Sequence, residues 1–137
     1  MLREDGIVMD DGTTDRLGET HFVMTTTTAN AVGVFRHMEF ARQCLWPGLD
    51  VQIISTTEAW AQFAVAGPNA RKVLERIVDP EFDLSNDAFP FMACGEITVC
   101  GGLRARLFRI SFSGELAYEI AVPARYGDAM ILSLIHI

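Results

Sequence analysis

Two carboxylates stand side by side at Asp10 and Asp11, inside residues 6–17, GIVMDDGTTDRL. Adjacent acids repel, so the arrangement has a cost. Asp-Asp-Gly is also ordinary turn chemistry, because aspartate bonds its own backbone and glycine accepts positive φ. On these residues alone the turn reading is preferred. The competing reading has the apolar run at 6–9 carry one carboxylate to the edge of a cleft. There, nearby donors would stabilise the charge, and the group could hold and orient a substrate N–H.

A second candidate lies in SFSGELAYEI, residues 111–120. Glu115 belongs to a Ser-Gly-Glu turn and is expected to face water. Glu119 sits among Leu116, Ala117, Tyr118 and Ile120, where a charge is rarely left unless it is paired or binds something. It could grip a ring carrying adjacent N–H donors, such as a pterin or guanine edge. It could equally form an ion pair with Arg104, Arg106 or Arg109 on a neighbouring strand. Both readings stand. The TTTT run at 25–28 is a β-branched strand end whose hydroxyls could also line a polar pocket. His21, beside Phe22, reads as a strand-face residue rather than a ligand.

The elements that must position these groups follow from pattern. Residues 20–27 read as a strand. From Ala31 the apolar positions Ala31, Val34, Phe35, Met38, Ala41 and Leu45 make a helical stripe, which Pro47-Gly48 closes. Strands are expected over 51–56 and 59–66, then a helix opening at Gly67-Pro68 with the stripe Val73, Leu74, Ile77 and ending at Asp79-Pro80. Residues 82–91 are loop. Strands over 96–100, 104–111 and 116–122 follow, the first two joined as a hairpin at Gly101-Gly102. A helix begins after Pro123. This order predicts an α+β domain with a ferredoxin-like βαββα core and additional antiparallel strands.

Bulk properties restrict the function classes. Of 137 residues half are apolar, the size of one domain with a real core. Eighteen acids against eleven bases leave a net charge of −7, which would repel a phosphate backbone, so nucleic acid is not expected as a partner. Three cysteines, Cys44, Cys94 and Cys100, suit reduced thiols and have no zinc spacing, so no metal site is expected. There is no GxGxxG after a strand, no P-loop and no Ser/His/Asp set. No apolar run approaches the ~20 residues that span a bilayer. The N-terminus lacks a signal layout, and a cytoplasmic location is expected. The last six residues, LSLIHI, resemble a translated adapter from sequencing libraries. The expectation is therefore a domain over 1–131 and a non-native tail over 132–137, with His136 left out of any functional argument.

Several stretches together resemble a known family: MLREDGIVMDDGTTDRLGETHFVMTTTTANA, WPGL, VAGPNARKVL, DAFPFM and RLFRISFSGELAYEI. In this order they are similar to the aminomethyltransferase-like, folate-binding part of heterotetrameric sarcosine oxidase alpha subunits. More distantly they resemble the glycine-cleavage T-protein and dimethylglycine oxidase. The resemblance covers nearly all of residues 1–130. It implies an Asp-Asp pair whose second member is catalytic, here Asp11. It also implies a Tyr-Thr-Gly-Glu-x-Gly-x-Glu motif whose last acid binds the pterin, here Glu119. Phe112 takes the place of the motif's tyrosine and keeps the ring without the hydroxyl, and Tyr118 takes the place of its second glycine. The threonine run falls where the family lines its folate pocket, with Thr27 as the candidate.

The implied activity is capture by tetrahydrofolate of the one-carbon unit from oxidised sarcosine, giving 5,10-methylenetetrahydrofolate. FAD, FMN and NAD would bind elsewhere in the parent enzyme, whose other subunits are the implied partners. This segment alone, without the family's upstream dinucleotide-binding segments and downstream barrel domain, is expected to be inactive. The alternatives are a T-protein-like aminomethyltransferase served by a lipoyl carrier, or a non-catalytic binding or assembly module.

Overall fold

The structure is a computed structural model that describes residues 1–136. The chain divides into two compact units, Met1–Thr57 and Glu58–Ile137.

The first unit holds little regular structure before its helix. Strand β1 (Thr14–Arg16) pairs antiparallel with β2 (Phe22–Met24), with Asp15 opposite Val23. Helix α1 (Ala31–Phe40) continues into a π-helical turn, Ala41–Leu45. Its predicted stripe holds over the α-helix, with Val34 and Ala41 buried, but fails at Leu45, which is exposed at the end of the π-helical turn. The strand expected over 20–27 contracts to three residues. Beyond Met24 the threonine side chains take over from the ladder: Thr25 Oγ1 accepts the Thr13 amide (3.0 Å), and Thr27 turns to Asp10. Side-chain bonds of this kind offer the backbone an alternative to sheet pairing. The strand expected over 51–56 is absent. β-branched residues favour a pleated surface only where a partner strand exists. None among the described residues pairs with this segment, and Val51 and Ile54 remain exposed.

The second unit is built on a four-stranded antiparallel sheet of β3 (Trp60–Ala66), β4 (Cys94–Val99), β5 (Leu103–Phe108) and β6 (Ala117–Pro123), in the order β3-β6-β5-β4. Strand β6 lies inside the sheet, which explains its nearly unbroken apolar run, whereas edge strand β3 alternates. One face carries Leu107, Tyr118, Ile120, Val122, Ile97 and Val99 into a core closed by Leu74 of α2 (Ala70–Leu74) and Met130 of α3 (Gly127–Ile135). Gly127 lets α3 approach β3, since a Cβ there would come within 2.9 Å of the Ala61 methyl. Helix α3 runs on through Leu132 to Ile135, and Leu134 packs against the core; Ile137 of the expected tail lies outside the described residues.

The α+β class with antiparallel sheet stands. The βαββα succession counted 51–56 as a strand, so the realised core is instead the β-α-β-β-β-α run of the second unit. The helix expected from 67 to 79 stops at Leu74, because the following chain joins the sheet edge. There Val78 bridges Val99, and the Asp79 amide donates to Thr98 O (3.1 Å). The hairpin expected at Gly101-Gly102 is a three-residue loop, Cys100 to Gly102, all at positive φ. Asp79 stabilises it by accepting both glycine amides, at 2.7 and 2.8 Å.

Candidate functional site

The sequence-predicted residues lie in two units: Asp11 and Thr27 in the first, Phe112 and Glu119 in the second. Each half is described within its own unit.

In the first unit the two aspartates separate cleanly. Asp10 is buried, with 8% exposure, and Asp11 is exposed. The Asp10 carboxylate accepts the Thr27 amide at Oδ2 (3.1 Å) and the Thr27 hydroxyl at Oδ1 (2.9 Å). Its role as a local turn residue is thereby corrected: its bonds reach 17 residues along the chain. The local bond belongs to Asp11, whose Oδ1 accepts the Gly12 amide (2.8 Å). Asp11 Oδ2 has no protein donor among the described residues. The apolar run that was to lead Asp11 to a cleft carries Ile7 and Val8 exposed, with Val8 in a single bridge to Leu2.

The chain on both sides of Asp11 is fastened to residues 25–30. Asn30 Nδ2 donates to Met9 O (2.9 Å), and the Thr25 amide donates to Thr13 O (2.9 Å). At Gly12 a Cβ would stand 2.0 Å from Thr25 O, so only glycine permits that approach. Asp15, also buried, accepts the Thr13 hydroxyl (2.8 Å), which in turn contacts Thr25 Oγ1 (3.0 Å). A buried carboxylate is tolerated when hydrogen bonds replace its water, as at Asp10 and Asp15.

In the second unit Glu119 occupies the sheet face opposite the apolar core. Register places it between Ala64 of β3 and Phe108 of β5. One step along the same face, Ala121 is flanked by Gln62 and Arg106. Gln62 Nε2 donates to Glu119 Oε2. Arg106 goes the other way along the strand: its guanidinium stacks over the Trp60 ring at 4.1 Å, and Trp60 is paired with Pro123.

The ion pair considered for Glu119 does not form. Arg104 and Arg106 both approach Glu96, at 3.7 and 3.8 Å. Arg109 donates to Phe89 O (2.7 Å). Burial pushes the Arg106 guanidinium below its ordinary pKa, while the nearby Glu96 carboxylate opposes that shift. Among the described residues, then, Glu119 is bonded by a neutral amide and has no cation partner. A carboxylate in this setting has lone pairs left to accept further N–H donors.

Phe112 stands at 104% exposure in the turn before β6, where Gly114 takes φ +90° and its amide bonds Ser111 Oγ (2.8 Å). Tyr118, at the family's glycine position, is fully buried in the core and accepts Arg71 Nε at its hydroxyl (3.0 Å). Two residues of this arrangement escaped sequence reasoning. Gln62 reaches Glu119 only through the β3–β6 pairing, 57 residues apart in the chain. The role of Asp10 depends on a bond to a threonine run that offered four similar hydroxyls. Among the described residues no helix is long and apolar enough to cross a membrane.

Comparison with known proteins gives the chain's relationships. The GCVT N-terminal domain family matches residues 1–137. The chain is 59% identical over 136 residues to sarcosine oxidase subunit alpha of Rhizobium meliloti, covering 98% of this chain and 14% of the relative. It is 50% identical over 127 residues to the subunit of the same name from Corynebacterium sp. strain P-1, covering 93% of this chain and 13% of the relative. Against an aminomethyltransferase of Thermus thermophilus the identity is 30% over 134 residues, covering 96% of this chain and 35% of the relative. The chain thus spans about one seventh of the sarcosine oxidase subunits it matches. Asp11 and Glu119 both fall within a segment matched end to end, and the chain belongs to the GCVT N-terminal domain family.

Proposed function

We propose that this chain is the tetrahydrofolate-binding domain of a cytoplasmic sarcosine oxidase alpha subunit, and that it directs the one-carbon unit of oxidised sarcosine onto folate. The observation that carries the reading is the Glu119 carboxylate, left beside the neutral Gln62 amide while all three nearby arginines are committed elsewhere. In that state both its charge and its remaining lone pairs are available to a pterin edge with two adjacent N–H groups.

Tetrahydrofolate supplies two nitrogen nucleophiles. Its N5 and N10 together replace the glycine nitrogen on the methylene carbon of the iminium CH2=NH⁺–CH2–COO⁻; the two protons they lose pass to glycine, and the product is 5,10-methylenetetrahydrofolate. Where water attacks instead, the products are formaldehyde and glycine. Asp11, through its free Oδ2, orients the attacking N–H and receives its proton. Glu119 fixes the pterin, and the exposed Phe112 ring offers a stacking face. Thr27 borders the Asp10–Asp11 pair. Holding two reactants in register supplies most of the acceleration. FAD, FMN, NAD and the other subunits belong to the rest of the assembled enzyme, where sarcosine is oxidised.

The test uses the complete chain in its assembled enzyme with sarcosine and saturating tetrahydrofolate, following the ratio of methylenetetrahydrofolate to formaldehyde. Asp11→Asn is expected to lower that ratio by about 100-fold. An unchanged ratio would remove Asp11 from the chemistry. Failure of the unmodified chain to bind tetrahydrofolate at all would make the domain an assembly module.

A further inference from the structure

In the first unit the chain on both sides of Asp11 is fastened to residues 25–30, while the Asp11 side chain bonds only its own neighbour Gly12 among the described residues. Met9 is held through its carbonyl by Asn30, and Asp10 through its carboxylate by Thr27. Gly12 lies against the Thr25 carbonyl, and Thr13 is bonded to Thr25 at both its amide and its carbonyl oxygen. Among the described residues, Asp11 makes no hydrogen bond to residues 25–30; its Oδ1 takes the Gly12 amide instead. Asp10 is drawn inward onto Thr27 and buried, while its neighbour Asp11 is exposed.

We infer that Asp10 and Thr27 form a positioning pair that sets the orientation of the Asp11 carboxylate, and that Thr27 acts through Asp10 rather than as a contact for folate. The inference rests on the proposed role of Asp11. Its physical basis is the commitment of Thr27: its amide and its hydroxyl proton both go to the buried Asp10 carboxylate. That leaves the hydroxyl oxygen as an acceptor only. The same two bonds offset the repulsion expected between adjacent carboxylates, because the inner charge is screened by donors rather than by the outer group's water. The first aspartate thus spends its hydrogen-bonding capacity on geometry, and the second keeps its own for a ligand.

A positioning pair and a ligand contact leave different kinetic signatures. Loss of a ligand contact weakens tetrahydrofolate binding and is overcome at saturation, whereas loss of positioning lowers transfer at saturation and leaves affinity alone. The variants are Thr27→Val, which removes the hydroxyl at nearly constant shape, Thr27→Ser, which restores it, and Asp11→Asn. All are made in the complete chain within its assembled enzyme. Tetrahydrofolate affinity is measured by equilibrium titration, and transfer as methylenetetrahydrofolate formed per sarcosine oxidised.

Thr27→Val is expected to lower transfer at saturating folate about tenfold, the worth of one lost hydrogen bond to a charged group, with affinity changed less than about twofold. Thr27→Ser is expected to recover most of the transfer. A Thr27→Val enzyme with weakened affinity and full transfer at saturation would overturn the inference in favour of a direct folate contact, and one unchanged in both would overturn it outright. Asp11→Asn separates the two levels. Full transfer in that variant would overturn the role of Asp11 itself. Lost transfer there beside full transfer in Thr27→Val would overturn the positioning pair alone.

Discussion

The two units hold their candidate carboxylates by opposite means. In the first, Asp11 stands on a segment fastened by threonine hydroxyls, an asparagine amide and one close glycine approach, with only three-residue strands beside it. In the second, Glu119 belongs to an interior strand whose opposite face supplies the apolar core. The difference is consistent with the roles proposed for the two groups. A carboxylate that grips a flat ring benefits from a rigid pleated surface, where register sets its neighbours. A carboxylate that accepts a proton needs an exposed oxygen and an orientation, which side-chain bonds at its flanks can provide. Sheet burial gives stability that survives single polar changes, whereas a polar fastening depends on each member.

That contrast can be broken by substitution. The largest effect is expected in the second unit's core, where Leu74→Ala should cost about 2–5 kcal/mol in denaturant unfolding of the complete domain. A loss below about 1 kcal/mol would mean that the sheet is not the main source of stability. Gly12→Ala comes next, since its methyl meets a backbone carbonyl that cannot rotate away. It should cost about 2–3 kcal/mol locally. Amide hydrogen exchange should show protection lost at Thr13 and Thr25 while the amides of β5 and β6 keep theirs. Uniform loss across both units would contradict the separation of the two fastenings.

A smaller effect sharpens the account of Glu119. Trp60 holds the Arg106 guanidinium on the side away from that carboxylate. Trp60→Ala should free the arginine to pair with Glu119 and weaken tetrahydrofolate binding about fivefold, the worth of a partly exposed ion pair. Adding Arg106→Met should then restore the affinity. Unchanged affinity in Trp60→Ala would show that Arg106 is kept from Glu119 by something other than the stack.

The smallest effect concerns Asp79. The Thr98 hydroxyl, then the Gly101 and Gly102 amides, hold its carboxyl below the ordinary carboxylate pKa. A depressed folded pKa contributes stability that is fully present above the ordinary value and is lost as pH falls through the lowered one. Asp79→Asn should therefore shallow the acid limb of the second unit's stability profile without altering its neutral plateau by more than the lost hairpin bonds. An acid limb of unchanged slope would assign that pH dependence to other carboxylates.

Much of the second unit was legible in the sequence because its signals are local. The Gly101-Gly102 turn, the apolar run of β6 and the misplaced charge of Glu119 all lie within a few residues of what they specify. What escaped depends on distant pairing. Residues 51–56 have the composition of a strand and no partner, and composition cannot report that. Gln62 meets Glu119 only because β3 lies beside β6. The helix predicted to run to Asp79 ends early because that aspartate is drawn to a hairpin loop more than twenty residues ahead. At the opening pair the two aspartates are locally alike, and what separates them is the bond from Thr27 to Asp10. Pattern and family resemblance nominated the candidate residues; long-range hydrogen bonds distinguish Asp10 from Asp11.

The account's central claim is that Glu119 binds and Asp11 reacts. It is tested most directly by equilibrium titration of the complete chain with tetrahydrofolate, comparing Glu119→Gln with Asp11→Asn. Glu119→Gln should weaken binding by about 10–100-fold, the worth of charge-assisted hydrogen bonds to the pterin edge, while Asp11→Asn should stay within about twofold of the unmodified chain. Binding as tight in Glu119→Gln as in the unmodified chain would contradict the claim.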